Sequence, residues 1–213
     1  PTGELSASRG EEYVEAAGME HVGVEFYELG AVDFGPQLTG ILAKDPDLIA
    51  CTPASASISG LIVKQAREMG YQGLFFNSQG PDAAVLVAAG GIENVEGFIG
   101  IGSVMYDRGT PVQRAFYERF VQTYGEEAWN TTCSYGYSFV SWMAEVFEEA
   151  DSFDPEAVIP ALEQGEWVVL EVPNRFVDAH EYGVEHERCT DEFYIKEIRN
   201  GEWEILVAIP YPF

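Results

Sequence analysis

Apolar positions recur along this chain with two spacings, one helical and one strand-like, and their alternation predicts an α/β fold. "EEYVEAAG" (11–18) has helical spacing, with Ser8 and Glu11 at capping-box distance and Gly18 as a stop. "VGVEFYEL" (22–29) has the apolar enrichment of a strand. "DFGPQLTGILAKDPD" (33–47) sets Leu38, Ile41 and Leu42 on one helical face and ends before Pro46. "LIACT" (48–52) is a compact strand, and "SISGLIVKQAREMG" (57–70) a helix turned inward through Ile58, Leu61, Ile62, Ala66 and Met69, with Gly70 as its stop. "LFFN" (74–77) reads as a fully buried strand, "PDAAVLVAAGG" (81–91) as a short helix opened by proline, and "FIGIGSVMY" (98–106) as another strand. Strands separated by helices in this rhythm predict a parallel sheet with right-handed crossovers.

The last third changes character. Two helices are expected over 111–125 and 135–150, and a third over 154–165 that Pro160 should kink or split. Strand-like segments follow: "WVVLEV", "EFYIKEI" and "EWEILVAI". Asn200-Gly201, between the last two, is a strong hairpin turn signal. The expectation is two lobes with a seam near 105–135: a parallel α/β lobe first, then a remainder that is part of a second lobe, too small and too edge-rich to be a complete domain alone.

Composition narrows the function classes. The chain has 213 residues, 46% hydrophobic and 13% aromatic, enough for a real core. Its formal charge is -25, with 36 acidic against 11 basic residues and no basic run, which argues against nucleic acid and anionic membrane surfaces as partners. Lysine is confined to Lys44, Lys64 and Lys196. Acidity with little lysine suits high salt, where counterions screen self-repulsion, so a halophilic or extracellular source is expected and desalting should destabilise it. No stretch is long and apolar enough to insert in a membrane. Cys51, Cys133 and Cys189 are far apart with no CxxC pair, so neither a zinc site nor any other metal or cofactor is expected. Cys51 reads as a small buried hydrophobe, and Cys133 and Cys189 could pair in an oxidising compartment.

Ligands of open α/β sheets bind beyond the carboxyl ends of the strands. "LIACT" runs into "PASAS", "LFFN" into "SQG", and "FIGIGSV" into "MYDRGT" (105–110). The first two ends carry small neutral polar groups, Ser55, Ser57, Asn77, Ser78 and Gln79, just ahead of helix N-termini whose N–H groups favour a carboxylate. An ordinary polar loop accounts for the same residues. "AHEYGVEHERC" gathers His180, Glu181, His186, Glu187 and Cys189, but without HExxH spacing it reads as a solvated loop between strands. No GxSxG occurs and no nucleophile has a base partner, so an enzyme is not expected.

Residues 24–70 resemble the second lobe of extracellular solute-binding proteins of the branched-chain amino-acid receptor type, which serve ABC importers. The pattern is Asp33-Phe34, Gln37 and Ile41, then Pro46-Asp47 before a strand, then Gln65-Ala66-Arg67 and Gly70. It continues through "GFIGIGSVMYDRGTPVQRAFYERFVQTYG" and "YGYSFVSWMAEVFEEA" and weakens after about residue 165. The resemblance implies a type I periplasmic-binding-protein clamshell with a small-molecule ligand in an interlobe cleft, an ABC permease as membrane partner, and a periplasmic or extracellular location, a cell-surface lipoprotein included. It also implies that a first lobe precedes this chain in the family's proteins, so the chain reads as a C-terminal portion, with the second lobe over 1–130, lacking its first strand, and crossover and returning segments of the first lobe and hinge over 131–213. A ligand-sensing module of the same fold is the alternative. Carried over by position, the ligand contacts fall at Ser55, Gln79 and Thr132, with Tyr106 at the end of the strand over 98–106. In amino-acid receptors the position of Gln79 is typically a carboxylate holding the ligand ammonium. A neutral amide there weakens such a contact by roughly ten- to a hundredfold, so an amide, a urea or an organic acid fits as well as an amino acid. Asn130-Thr131-Thr132 is a glycosylation sequon, in tension with a pocket role for Thr132.

Overall fold

A computed structural model describes residues 2–102, 110–129, 131–179, 184–189 and 192–210, with backbone alone at 2, 131–132, 178–179 and 184–189. The chain divides into two compact units: Pro1–Gly102 with Ile195–Val207, and Ser103–Tyr194 with Ala208–Phe213. The C-terminal hairpin belongs to the first unit's sheet.

The first unit is built on a five-stranded sheet. Strands β1 (Leu48–Ala50), β2 (Leu74–Asn77) and β3 (Ile99–Gly102) are parallel neighbours, with Leu48 opposite Leu74 and Phe76 opposite Ile99. Strands β7 (Glu192–Arg199) and β8 (Glu202–Pro210) complete the order β1-β2-β3-β7-β8. Asn200 and Gly201 both have positive φ, 53° and 84°, as a tight hairpin requires. Helices α1 (Thr2–Ala16), α2 (Gly35–Leu42), α3 (Ala56–Glu68), α4 (Ala83–Gly90) and the single turn α5 (Ile92–Val95) accompany the sheet. Its core holds Phe75, Phe98, Val63, Leu86 and Ile198, with the Phe75 and Phe98 rings stacked at 6.4 Å.

Several family-pattern residues turn out to be structural ties. Gln65 accepts from Phe34 N at 2.7 Å and donates to Val32 O at 2.9 Å, which fixes the chain entering α2. Asp33 caps that entry by accepting from Gly35 N at 3.0 Å. Arg67 donates to Tyr71 O and Gly73 O at 2.8 and 3.0 Å, setting the approach to β2.

Four sequence expectations are corrected here. Residues 22–29 form no strand: no neighbour among the described residues pairs with them, and Val24, Phe26 and Leu29 stay exposed, so β propensity lacks the half-buried surface it needs. Helix α1 begins at Thr2, which places Ser8 inside it rather than at its cap. The buried stripe of α3 is Ser59, Ile62, Val63 and Ala66, with Met69 exposed, a rotation that brings a serine inward. Strand β2 is not buried on both faces: Phe75 and Asn77 point inward, whereas Leu74 is 50% exposed.

The second unit joins α6 (Pro111–Tyr124), a short turn (Glu126–Ala128), α7 (Thr131–Ala150) and α8 (Pro155–Gln164) to an antiparallel sheet of β4 (Glu166–Val169), β5 (Val172–Ala179) and β6 (Val184–Cys189). Thr110 and Gln113 form a reciprocal capping box on α6. Trp142, Val146, Val158, Trp167 and Val169 make the core. Pro160 lies inside one uninterrupted α8, against the expected break. "WVVLEV" is two strands rather than one, turning at Leu170-Glu171 with φ of 52° and 62°. Gln113 Nε2 donates to Leu170 O at 2.9 Å and holds that turn. The loop expected around His186, Glu187 and Cys189 is the strand β6, paired with β5, while 180–183 lie outside the described residues. Cys133 has a free thiol. Among the described residues no helix is long and apolar enough to cross a membrane.

Candidate functional site

The carboxyl ends of β1 and β2 lie side by side because their strands are parallel neighbours, so the loops that follow share one edge. Asn77, the last residue of β2, ties them together. It is 0% exposed, and its Nδ2 donates to Cys51 O at 2.8 Å, Ala54 O at 3.0 Å and Ser59 Oγ at 3.1 Å. Its Oδ1 accepts from Gln79 N at 2.8 Å. A buried amide with every group in use holds the edge in shape and has nothing left for a ligand. Asn77 is thereby removed from the candidate contacts and becomes their support. Ser78 N adds a second tie by donating to Thr52 Oγ1 at 3.1 Å.

What these ties leave outward is small, polar and neutral. Ser55 is the N-cap of α3: its Oγ accepts from Ile58 N at 3.4 Å and lies 3.1 Å from Ser57 Oγ. Both serines are exposed, as are Ser78 and Gln79. Gln79 is fixed through its backbone, yet no hydrogen bond to its side-chain amide occurs among the described residues. Ser55, Ser57, Ser78 and Gln79 are thus gathered on one edge. Thr132 belongs to the second unit and its side chain, like all of Tyr106, lies outside the described residues.

Sequence reasoning missed Lys196. It sits in β7, 5% exposed and in phase with the buried Ile198. Its Nζ lies 5.1 Å from the centroid of the Trp203 ring, and Trp203 Nε1 donates to Pro81 O at 2.9 Å. A Cβ at Gly102 would lie 2.6 Å from that Nζ, and one at Gly80 3.3 Å, so glycine at both positions admits the lysine. Gly80 also has φ of +53° and stands against the Ile101 carbonyl. A lone lysine two residues before a core isoleucine, in a strand, was the available signal.

The opposite edge of the same strands holds a surface cavity of about 410 Å³, lined by Leu42, Asp45, Asp47, Met69, Tyr71 and Gln72 among others. Two of its polar side chains are engaged with the backbone: Tyr71 OH donates to Leu74 O at 3.1 Å, and Gln72 Nε2 donates to Gly70 O at 3.4 Å. Burial pushes the Tyr71 hydroxyl up to about 12, with Arg67 opposing the shift and Asp47 adding to it. Burial alone raises the Cys51 thiol to about 12, so it is an inert packing group rather than a nucleophile.

A model of the family described as periplasmic binding protein matches residues 1–201. No curated protein sequence matches the chain. Among solved structures, a leucine binding protein from Thermotoga maritima superimposes with TM-score 0.77 at 22% identity, covering 98% of this chain and 57% of its own. A periplasmic binding protein from Burkholderia mallei gives TM-score 0.81 at 16% identity, covering 98% of this chain and 55% of its own. A branched-chain amino acid transporter substrate binding protein from Streptococcus pneumoniae, in complex with isoleucine, gives TM-score 0.71 at 20% identity, with 96% of this chain and 56% of its own covered. At these identities the likeness establishes the fold, and the chain spans little more than half the length of each of these proteins.

Proposed function

The chain belongs to the periplasmic binding protein family, and on that premise we propose that it is part of a solute receptor that binds a small polar molecule at the carboxyl edge of β1 and β2. The observation that carries this reading is Gln79: exposed, with its side-chain amide uncommitted among the described residues, on a turn that the buried Asn77 fixes through the backbone. An amide both donates and accepts, and a pre-fixed turn loses little conformational freedom when a ligand seats on it. Ser55 and Ser57 hydroxyls stand on the neighbouring loop of the same edge, and Ser78 next to Gln79. Tyr106 and Thr132 are further candidate contacts by position.

Binding is non-covalent, and no bond of the solute is made or broken. The solute is an amino acid, an amide or urea, or an organic acid. The loaded receptor delivers it to an ABC permease on the outer side of the cytoplasmic membrane, in the periplasm or outside the cell. The test is a thermal-shift screen of the full-length protein against amino acids, amides, ureas and carboxylic acids. A ligand at a hundred times its Kd stabilises by about 2.7 kcal/mol, so a hit is expected as a rise of several degrees. Absence of any shift across the panel contradicts the receptor reading.

A further inference from the structure

We propose that β1 and the segment 22–29 are bridged by one further parallel strand, supplied by polypeptide that this protein carries ahead of α1. The first support is the course of the segment. It runs antiparallel to α2: Gly23 stands against Lys44, Glu25 against Gly40, Phe26 O accepts from Gln37 Nε2 at 3.2 Å, and the Tyr27 ring lies edge-on to Phe34 with centroids 5.2 Å apart. From Phe34 to Lys44 a helix rises about 15 Å, and from Tyr27 back to Gly23 an extended chain covers about 13 Å. The match makes the segment extended. Strand β1 follows α2 in the chain, so segment, helix and strand have the layout of a crossover between parallel strands. Yet the segment and β1 do not pair with each other.

The second support is the edge of β1, the outermost strand of its sheet among the described residues. Cys51 N donates inward to Phe76 O, so by the two-residue period of a strand Ala50 N points to the outer side. Such an edge is a template for another strand. Val24 and Phe26 on the segment and Leu48 on β1 are exposed, apolar side chains that a bridging strand would cover. The third support is Gln37. Its Nε2 is spent on Phe26 O, while its Oε1 is buried with no hydrogen-bond partner, and buried acceptors are seldom left so.

Helix α1 gives the direction. It lies against the same segment, with Glu11 Oε1 3.5 Å from His21 Nδ1 and a Cβ at Gly3 3.7 Å from the Phe26 ring, so it also runs antiparallel to it. A strand leading into α1 therefore runs parallel to 22–29 and to β1, with α1 as its crossover. Its carboxyl end joins the edge that carries Ser55 and Gln79. Length is available for it, because the chain spans little more than half of each solved structure on which it superimposes.

The experiment is amide exchange and cross-strand NOE measurement on the full-length protein, labelled with ²H and ¹⁵N. The Ala50 amide and alternate amides over 22–28 should exchange at least about a hundredfold more slowly than unstructured chain, with NOEs from both stretches to one strand that precedes α1. Exchange near the unstructured rate in either stretch overturns the proposal, since the strand must pair with both. Protection with NOEs running directly between β1 and 22–29 overturns it as well. So do NOEs that cross between copies in a sample mixing labelled and unlabelled protein, which would make the occupant a second copy.

Discussion

At the amino edge of β1 and β2, Arg67 gathers the chain by donating to the carbonyls of Tyr71, Gly73 and Asn94, and its guanidinium lies 4.9 Å from the centroid of Phe75. At the carboxyl edge Asn77 does the same for Cys51, Ala54, Ser59 and Gln79. Each edge therefore has one polar lock, and each lock has a glutamine beside it, at Gln72 and Gln79. The difference lies in what is left over. Gln72 donates to its own neighbour's carbonyl, Gly70 O, whereas the Gln79 amide is uncommitted among the described residues. The lesson is that the concavity at the amino edge sits beside a glutamine already tied to the backbone, and the uncommitted glutamine is at the other edge. Rigidly held, uncommitted polar groups offer a ligand specific recognition that groups already engaged with the backbone do not.

The largest expected effect comes from breaking the carboxyl lock. Asn77→Ala leaves three acceptors and one donor without their partner, for a loss of about 3 kcal/mol. It should abolish solute binding as well, since both loops lose their tie, and denaturant unfolding with calorimetry reads both. Breaking the amino lock separates the two properties. Arg67→Ala should cost about 2 kcal/mol through lost hydrogen bonds and cation–π contact, yet leave solute affinity within about twofold of wild type. A comparable loss of affinity would show that the edges are not independent.

Smaller effects sharpen the contrast. Gln79→Ala should lower affinity roughly tenfold with a melting temperature close to wild type, because the side chain is exposed and supports no other group. At high pH both edges should weaken. The Cys51 thiol and the Tyr71 hydroxyl are raised in the fold from 9.0 and 10.0 to about 12. Each therefore supports the fold fully below its unfolded pKa, and that support is lost as pH rises through the folded value. Stability should decline across this alkaline window, and Tyr71→Phe should flatten the decline, measured as unfolding free energy against pH.

The alternation of strands and helices through residue 102 was legible because each run buries one periodic face against a neighbour that is also local in sequence. The strand expected over 22–29 failed for the opposite reason: its composition was right, but pairing depends on a partner the composition cannot reveal. The turn at Leu170-Glu171 was invisible because neither residue favours positive φ, and a remote side chain, Gln113, holds it. At the site, the polar strand ends were readable, but their division into support and contact was not. Asn77 and Gln79 look equivalent in sequence. Only burial distinguishes the amide that fastens the loops from the amide that faces outward. Lys196 was hidden because its seat is made by glycines 80 and 102, from two different parts of the chain.

The most direct measurement is the side-chain amide spectrum of the full-length, ¹⁵N-labelled protein, with and without the solute that gives the largest thermal shift. Gln79 should move on binding while Gln72, its counterpart at the other end of β2, stays in place. Movement of Gln72 with Gln79 unchanged would put the solute at the wrong edge and contradict the account.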